Sequence, residues 1–161
     1  APCTTELKRK VRLEHSTITD VQYWGFTIEE RKRANNFSER NPLIINKYPL
    51  IGYGIRKQDC LALIKEVGIE LPKMYQLGYD HNNCIGCVKS GSPKYWNMIR
   101  RDFPEVFQRR AEQERKFKYR LCKVKGEPVY LDELDPNEVE HTDLDISCDL
   151  GCQSIYNTHI K

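Results

Sequence analysis

The sequence contains no long hydrophobic run and no segment typical of a targeting signal. Nowhere do about 18 apolar residues follow one another, as a membrane-spanning helix requires. Residues 1–10 lack the apolar core of a secretory signal peptide. Internal repeats and low-complexity segments are missing as well. These absences predict a globular cytoplasmic protein without a membrane partner.

The composition is that of a soluble domain with an unusual number of cysteines. The 161 residues, of which 39% are hydrophobic and 30% charged, suit one domain with a core of its own. The 7 cysteines are an odd number, which in a reducing compartment argues against a disulfide framework. The cysteines are therefore predicted to be metal ligands, a nucleophile or buried thiols.

Two cysteine pairs carry the strongest chemical signal. Cys84 and Cys87 enclose Ile85 and Gly86, and the small glycine allows a turn tight enough for two thiolates to meet one metal ion. One such pair supplies half of a tetrahedral shell. Cys148 and Cys152 form a second pair that is predicted to bring one or two further thiolates to the same site.

Charge is segregated along the chain. Residues 89–125 hold twelve Lys and Arg against four acids, whereas residues 127–149 hold nine acids and no Lys or Arg. This pattern fits a polyanion site with an intramolecular cover, or two solvated surfaces that attract each other. A zinc-stabilised nucleic-acid-binding module is the alternative function, although 60 residues separate Cys87 from Cys148 and zinc ribbons usually place about 15–20 there.

Local signals predict alternating strands and helices. Thr27 and Glu30 have the spacing of a capping box, Pro104 interrupts a long helical pattern, and Gly126 lies between two alternating segments. The resulting fold class is α/β. The predicted elements are a buried strand at 21–25, a helix at 28–37, a short strand at 43–45, helices at 57–67, 93–101 and 104–118, and a hairpin at 121–131.

The order of these motifs resembles the phosphoadenosine phosphosulfate reductase family, the PP-loop ATP pyrophosphatases and their relatives, over residues 3–114. The segment 91–107 is most similar to the phage and bacterial branch of that family. The other matching segments are Cys3 before a basic helix, Gly25 to Arg33, the YPLI of 48–51 with Asp59 and Leu61, and Leu77-Gly78-Tyr79 before Cys84 and Cys87.

The resemblance implies a partial adenine nucleotide alpha hydrolase-like, Rossmann-like layer with a helical, cysteine-rich C-terminal extension. The corresponding domains are 1–125, which carries the cysteine site, and 126–161, an acidic tail that contains Cys148 and Cys152. Gly25, Glu30 and Arg33 match the nucleotide side of the family. A capping box and helix-surface pairing account for Glu30 and Arg33 equally well.

The resemblance also implies a [4Fe–4S] cluster, with zinc as the alternative cofactor. Cys3 precedes Cys84 by 81 positions, as in the iron–sulfur members, but Pro2 stands where the other cysteine of the first family pair would be. Cys148, Cys152 or a ligand outside the chain would then complete the shell with Cys3, Cys84 and Cys87.

Two family motifs are missing from the sequence. It has neither the Ser-Gly-Gly-x-Asp-Ser phosphate loop nor the C-terminal Glu-Cys-Gly nucleophile motif of the sulfonucleotide reductases. We therefore expect a C-terminal portion of a longer protein, or one chain of a split protein, that handles an adenine nucleotide only together with the missing N-terminal half. That half is the predicted partner, and a homo-oligomer is compatible with the sequence.

Overall fold

The computed structural model of the chain describes residues 5–139. The chain divides into two compact units, with the boundary between Leu71 and Pro72. Helices and two short two-stranded sheets make up the described part, so the general α/β class expected from the sequence is correct. No helix among these residues is both long enough and apolar enough to cross a membrane.

The first unit consists of short helices around one pair of strands. A π-helical segment, Thr5–Lys10, leads directly into its first α-helix. The elements that follow are, in chain order, α1 Val11–His15, β1 Val21–Tyr23, a 3₁₀ helix Ile28–Glu30, α2 Arg31–Arg40, β2 Ile45–Lys47, α3 Pro49–Gly52 and α4 Lys57–Glu66.

β1 and β2 pair in parallel and are joined by α2, so the first unit contains a strand–helix–strand crossover. The predicted capping box forms at the start of the helix, where the Thr27 amide donates to Glu30 Oε2 at 3.2 Å. Behind the strands lies an aromatic core in which the rings of Trp24 and Phe37 are 4.5 Å apart, centroid to centroid. Phe26 and Ala34 complete the buried set.

The buried strand predicted at 21–25 is wrong in its length and its burial. β1 ends at Tyr23, and the side chains of Val21 and Tyr23 are 44% and 73% exposed. Burial begins only with Trp24 and continues at Phe26, after the strand has ended. The aromatic pattern therefore indicated the core correctly but not the element that carries it.

The second strand begins two residues later than predicted because a turn intervenes. The side-chain amide of Asn41 donates to the Phe37 carbonyl at 2.8 Å, and the Ile44 amide donates to the Asn41 carbonyl at 3.2 Å. These bonds close the end of α2 and occupy the residues that the apolar pattern assigned to the strand. β2 consequently covers Ile45–Lys47.

α4 ends as predicted, with Gly68 in the left-handed region at φ +74°. Its apolar side contributes less to the core than its helical spacing suggests. Cys60 is half-buried, Val67 is 60% exposed, and no residue of α4 is fully buried.

The second unit begins at Pro72 and contains the two helices predicted at 93–101 and 104–118. Ser92 caps the first of these, because its Oγ accepts a bond from the Tyr95 amide at 3.5 Å, and Pro104 starts the second as expected. The elements are α5 Lys73–Gln76, α6 Pro93–Asp102, α7 Pro104–Phe117, β3 Cys122–Val124, β4 Glu127–Val129 and a 3₁₀ helix Leu131–Glu133.

β3 and β4 form the predicted antiparallel hairpin. Lys125 and Gly126 both have positive φ, +50° and +86°, as a two-residue hairpin turn of the primed type requires. The hairpin crosses the predicted domain boundary between residues 125 and 126, and most of the acidic tail lies outside the described residues.

A buried carboxylate joins α7 to the segments that follow it. Glu114 is 3% exposed, and its side chain accepts hydrogen bonds from the amides of Leu121 and Leu131, the latter at 2.7 Å. Burial raises the pKa of Glu114 above its ordinary value of 4.5, although the two amide bonds oppose this shift. One side chain therefore fixes both ends of the hairpin.

The variant Glu114→Gln should destabilise the protein by about 1–3 kcal/mol, because a carboxamide offers one acceptor oxygen and leaves a buried amide without its bond. Urea denaturation measures this loss. Glu112→Gln, an exposed change two residues away on the same helix, is the control and should have little effect.

The raised pKa of Glu114 determines how the stability of the protein changes with pH. The pKa of Glu114 is higher in the folded than in the unfolded protein, so protonation of this side chain favours folding. This contribution to the free energy of unfolding is fully present below the ordinary pKa of 4.5 and is lost as the pH rises through the pKa of the folded state. The stability of the wild type relative to Glu114→Gln should therefore fall as the pH rises from 4.5. A difference that does not change with pH would contradict the raised pKa.

Candidate metal centre

Cys84 and Cys87 lie in the irregular segment between α5 and α6, on either side of a tight turn. Gly86 makes this turn possible for two reasons. Its φ is +66°, and a Cβ at its position would lie 2.5 Å from Cγ1 of Val106 on α7. Any side chain here would meet both backbone strain and a packed neighbour.

The hydroxyl of Tyr95 bridges the two ends of this turn. It donates to the Cys84 carbonyl at 3.1 Å and accepts from the Cys87 amide at 2.9 Å. Burial raises the pKa of Tyr95 to about 12, so the phenol keeps the proton that it donates. The first turn of α6 thus fixes the separation of the two cysteine backbones.

Further hydrogen bonds hold the rest of the segment. Nε of Arg110, on α7, donates to the Gly86 carbonyl at 3.0 Å. On the far side, the Ser90 amide donates to the Cys87 carbonyl at 3.0 Å, and the Trp96 indole donates to the Ser90 carbonyl at 2.8 Å. Both helices of the second unit therefore brace the cysteine turn.

The two thiols differ in exposure, since Cys84 is exposed and Cys87 is half-buried, and neither is in a disulfide among the described residues. Of the other cysteines there, Cys60 lies on α4 and Cys122 is fully buried at the start of β3. Residues 5–139 contain no group of three or more His, Cys, Asp or Glu side chains that could hold a metal ion. The predicted ligands Cys3, Cys148 and Cys152 lie outside these residues.

The predicted nucleotide-side residues lie in the first unit. Glu30 and Arg33 pair with each other at 2.6 Å, and the Arg33 guanidinium lies over the Phe26 ring, 4.9 Å from its centroid. With the capping bond to Thr27, these contacts give Glu30 and Arg33 local structural roles. Gly25 is exposed, and no atom lies within 4 Å of the Cβ that it would carry.

The basic residues after the cysteine turn also have local contacts. Lys94 pairs with Asp80 at 3.2 Å, and Arg101 pairs with Asp102 at 2.7 Å. Nη2 of Arg100 donates to the Leu131 and Leu134 carbonyls, each at 2.9 Å. Arg100 therefore secures the chain after the hairpin, a role that its sequence context did not indicate.

The sequence motifs did not identify Tyr95 and Arg110 as supports of the cysteine turn. For Tyr95 a signal exists, because Ser92 and Pro93 place it in the first turn of α6 and helical side chains lean toward the N-terminus, where the cysteines lie. For Arg110 no such signal exists, because its contact with Gly86 joins positions 24 residues apart.

We expect Gly86→Ala to destabilise the protein by about 1–3 kcal/mol more than Gly126→Ala, because the new methyl group would collide with Val106. The two glycines share a positive φ in the same unit, but no atom lies within 4 Å of the Cβ that Gly126 would carry. Urea denaturation of both variants separates the collision from the backbone strain. Equal losses would show that the close packing against α7 does not exist.

Comparisons with protein-family models, with curated proteins and with solved structures find no significant match. The motifs and the geometry of this chain are therefore the basis of the functional argument. The geometry consists of a two-cysteine turn whose backbone is fixed by a tyrosine hydroxyl, an arginine and a close-packed glycine.

Proposed function

We propose that the chain is the C-terminal part of a phosphoadenosine phosphosulfate reductase-family protein that carries a thiolate-bound metal centre at Cys84 and Cys87. When complete, the protein would act on an adenine nucleotide or a sulfonucleotide. The observation that carries the proposal is the Tyr95 bridge between the Cys84 carbonyl and the Cys87 amide. A turn held in this way presents two cysteines at a fixed separation before any metal binds.

Ligation explains the pair better than redox catalysis does. A redox-active pair of this spacing usually lies at a helix N-terminus, where the helix stabilises the thiolate. Here α6 begins at Pro93, six positions after Cys87, and the intervening residues are irregular. The glycine between the cysteines and the outward position of Cys84 instead suit convergence on a metal.

The metal is proposed to be a [4Fe–4S] cluster or zinc, since thiolate-rich sites select both. Two ligands come from Cys84 and Cys87, and the others are proposed from Cys3, Cys148 and Cys152, as the sequence predicts. Following the resemblance, the centre would orient and electrostatically tune an anion site rather than act as the nucleophile.

The nucleotide part of the proposal rests on the first unit. Its parallel strand–helix–strand crossover is compatible with a layer of the adenine nucleotide alpha hydrolase type. Gly25, Glu30 and Arg33 lie where this crossover begins and are proposed to face the nucleotide. The phosphate cradle is proposed to come from outside this chain.

Protein purified without oxygen should contain iron and sulfide, or zinc, and Cys84→Ser and Cys87→Ser should lose the metal. The physical reason is that a serine hydroxyl is a poor ligand for either centre. Elemental analysis together with the visible absorption spectrum measures the content. Cys60→Ser, which changes a half-buried cysteine of the first unit, is the matched control and should keep the metal.

Tyr95→Phe distinguishes a braced site from two independent cysteines. It keeps both thiols but removes the bridging hydroxyl, and it should weaken metal retention against a chelator by about 10- to 100-fold. Circular dichroism confirms that each variant is folded. The proposal would be refuted if the wild-type protein were as stable without metal as with it, or if Cys84→Ser kept its full metal content.

A further inference from the structure

The end of α7 and the residues that follow it expose cations and aromatic rings in alternation. All residues from 115 to 120 are exposed, and among them Phe117 is 71% and Tyr119 65% exposed. Such exposure is unusual for large rings, which normally lie in a core or an interface. We call Lys116, Phe117, Lys118, Tyr119, Arg120 and Lys123 the basic–aromatic surface.

All charged side chains of this surface are positive. Residues 116–126 contain five Lys and Arg and no acid. The neighbouring acids instead engage Arg115, which pairs with Asp132 at 2.7 Å and with Glu133 at 2.6 Å. None of the four cations of the basic–aromatic surface has an ion pair with an acid among residues 5–139.

The backbone of the surface is fixed, although its side chains are exposed. Lys118 adopts left-handed geometry at φ +53°, and the Tyr119 amide donates to the Glu114 carbonyl at 3.1 Å. The buried carboxylate of Glu114 holds the Leu121 amide just beyond. The two rings are thus presented from a defined turn, which reduces the entropy lost when a ligand binds them.

The side chain of Arg120 is also partly positioned. Its guanidinium lies over the Tyr130 ring, 4.5 Å from the centroid, and Arg115 lies over the same ring at 3.8 Å. Arg115 is neutralised by its two acids. Arg120 therefore remains the cation of this stack that can meet an anion.

We propose that the basic–aromatic surface binds single-stranded nucleic acid. Lys116, Lys118, Arg120 and Lys123 would contact backbone phosphates, while unpaired bases would stack on Phe117 and Tyr119. Alternating cations and exposed rings match the alternation of phosphates and bases in a single strand. The inference does not depend on the metal centre or on the nucleotide-binding proposal.

Two other polyanions fit the surface less well. A duplex keeps its bases stacked inside, so the rings would find no partner there. A membrane-binding helix presents a broad apolar face, whereas Phe107 and Ala111 of α7 are buried in the core and the exposed rings follow one another at the end of the helix. Single strands use both the rings and the cations.

Fluorescence anisotropy of labelled oligothymidylate and oligouridylate of about 20 nucleotides, titrated with the 161-residue chain, tests the proposal. With four contacting cations, the slope of log affinity against log salt should be about −3. Lys116→Gln combined with Lys118→Gln should reduce that slope by about 1.4. The ratio of the two affinities shows whether DNA or RNA is preferred, and binding of either supports the proposal.

Phe117→Leu combined with Tyr119→Leu tests stacking, because leucine keeps apolar surface but has no ring. This variant should bind about tenfold or more weakly. The matched controls change exposed residues of the first unit and should bind like the wild type. One combines Arg31→Ala with Lys32→Ala, and the other is Tyr53→Ala, which removes a ring that is 82% exposed.

Three results would overturn the proposal. They are no binding at about 50 mM salt, unchanged affinity in the double leucine variant, and equal or tighter binding of a duplex of the same length. Binding to phosphatidylserine vesicles without binding to oligonucleotides would also overturn it and would identify the surface as a membrane contact. Unchanged circular dichroism spectra ensure that losses do not come from unfolding.

Discussion

Hydrogen bonds from the side chains of α6 to main-chain carbonyls of the neighbouring segments are the constraint on which the second unit depends. Four of its residues donate to main-chain carbonyls outside the helix. Tyr95 bonds to Cys84, Trp96 to Ser90, Asn97 to Asp135 and Glu138, and Arg100 to Leu131 and Leu134. Among these acceptors the Ser90 carbonyl is buried, and leaving such a group without a partner costs about 1–3 kcal/mol.

Arg100 shows how this constraint operates. Burial lowers the pKa of its guanidinium, yet the group is held by two carbonyls and lies over the Phe107 ring, 4.4 Å from the centroid. Hydrogen bonds from a charged donor are about twice as strong as neutral ones, so they offset part of the desolvation. The chain after the hairpin is thereby fixed to the same helix that fixes the cysteine turn.

α7 also holds segments outside itself, the cysteine turn and the hairpin. Val106 and Arg110 pack against and bond to Gly86, while Glu114 holds the amides at 121 and 131. The cysteine turn and the basic–aromatic surface therefore depend on one helix pair with a common core around Trp96 and Ile99. A metal that binds such a turn does not have to order it first, which favours affinity.

The parts of this arrangement that local signals control could be predicted from the sequence. Ser92, Pro93 and Pro104 mark where α6 and α7 begin, and Gly126 marks the turn of the hairpin. In the first unit, Thr27 and Glu30 form the capping box before α2. The failures have longer-range causes. Whether the first strand is buried depends on which other elements pack over it. The cysteine turn is held by Tyr95, 8 positions from Cys87, and by Arg110, 24 positions from Gly86.

We propose that Cys84 and Cys87 form half of a thiolate metal centre whose backbone is set before metal binds. X-ray absorption at the edge of the metal that purifies with the protein tests this claim most directly, because it identifies the coordinating atoms. The shell should be dominated by sulfur at about 2.3 Å and should shrink or disappear in Cys84→Ser. A shell of oxygen and nitrogen without sulfur would contradict it.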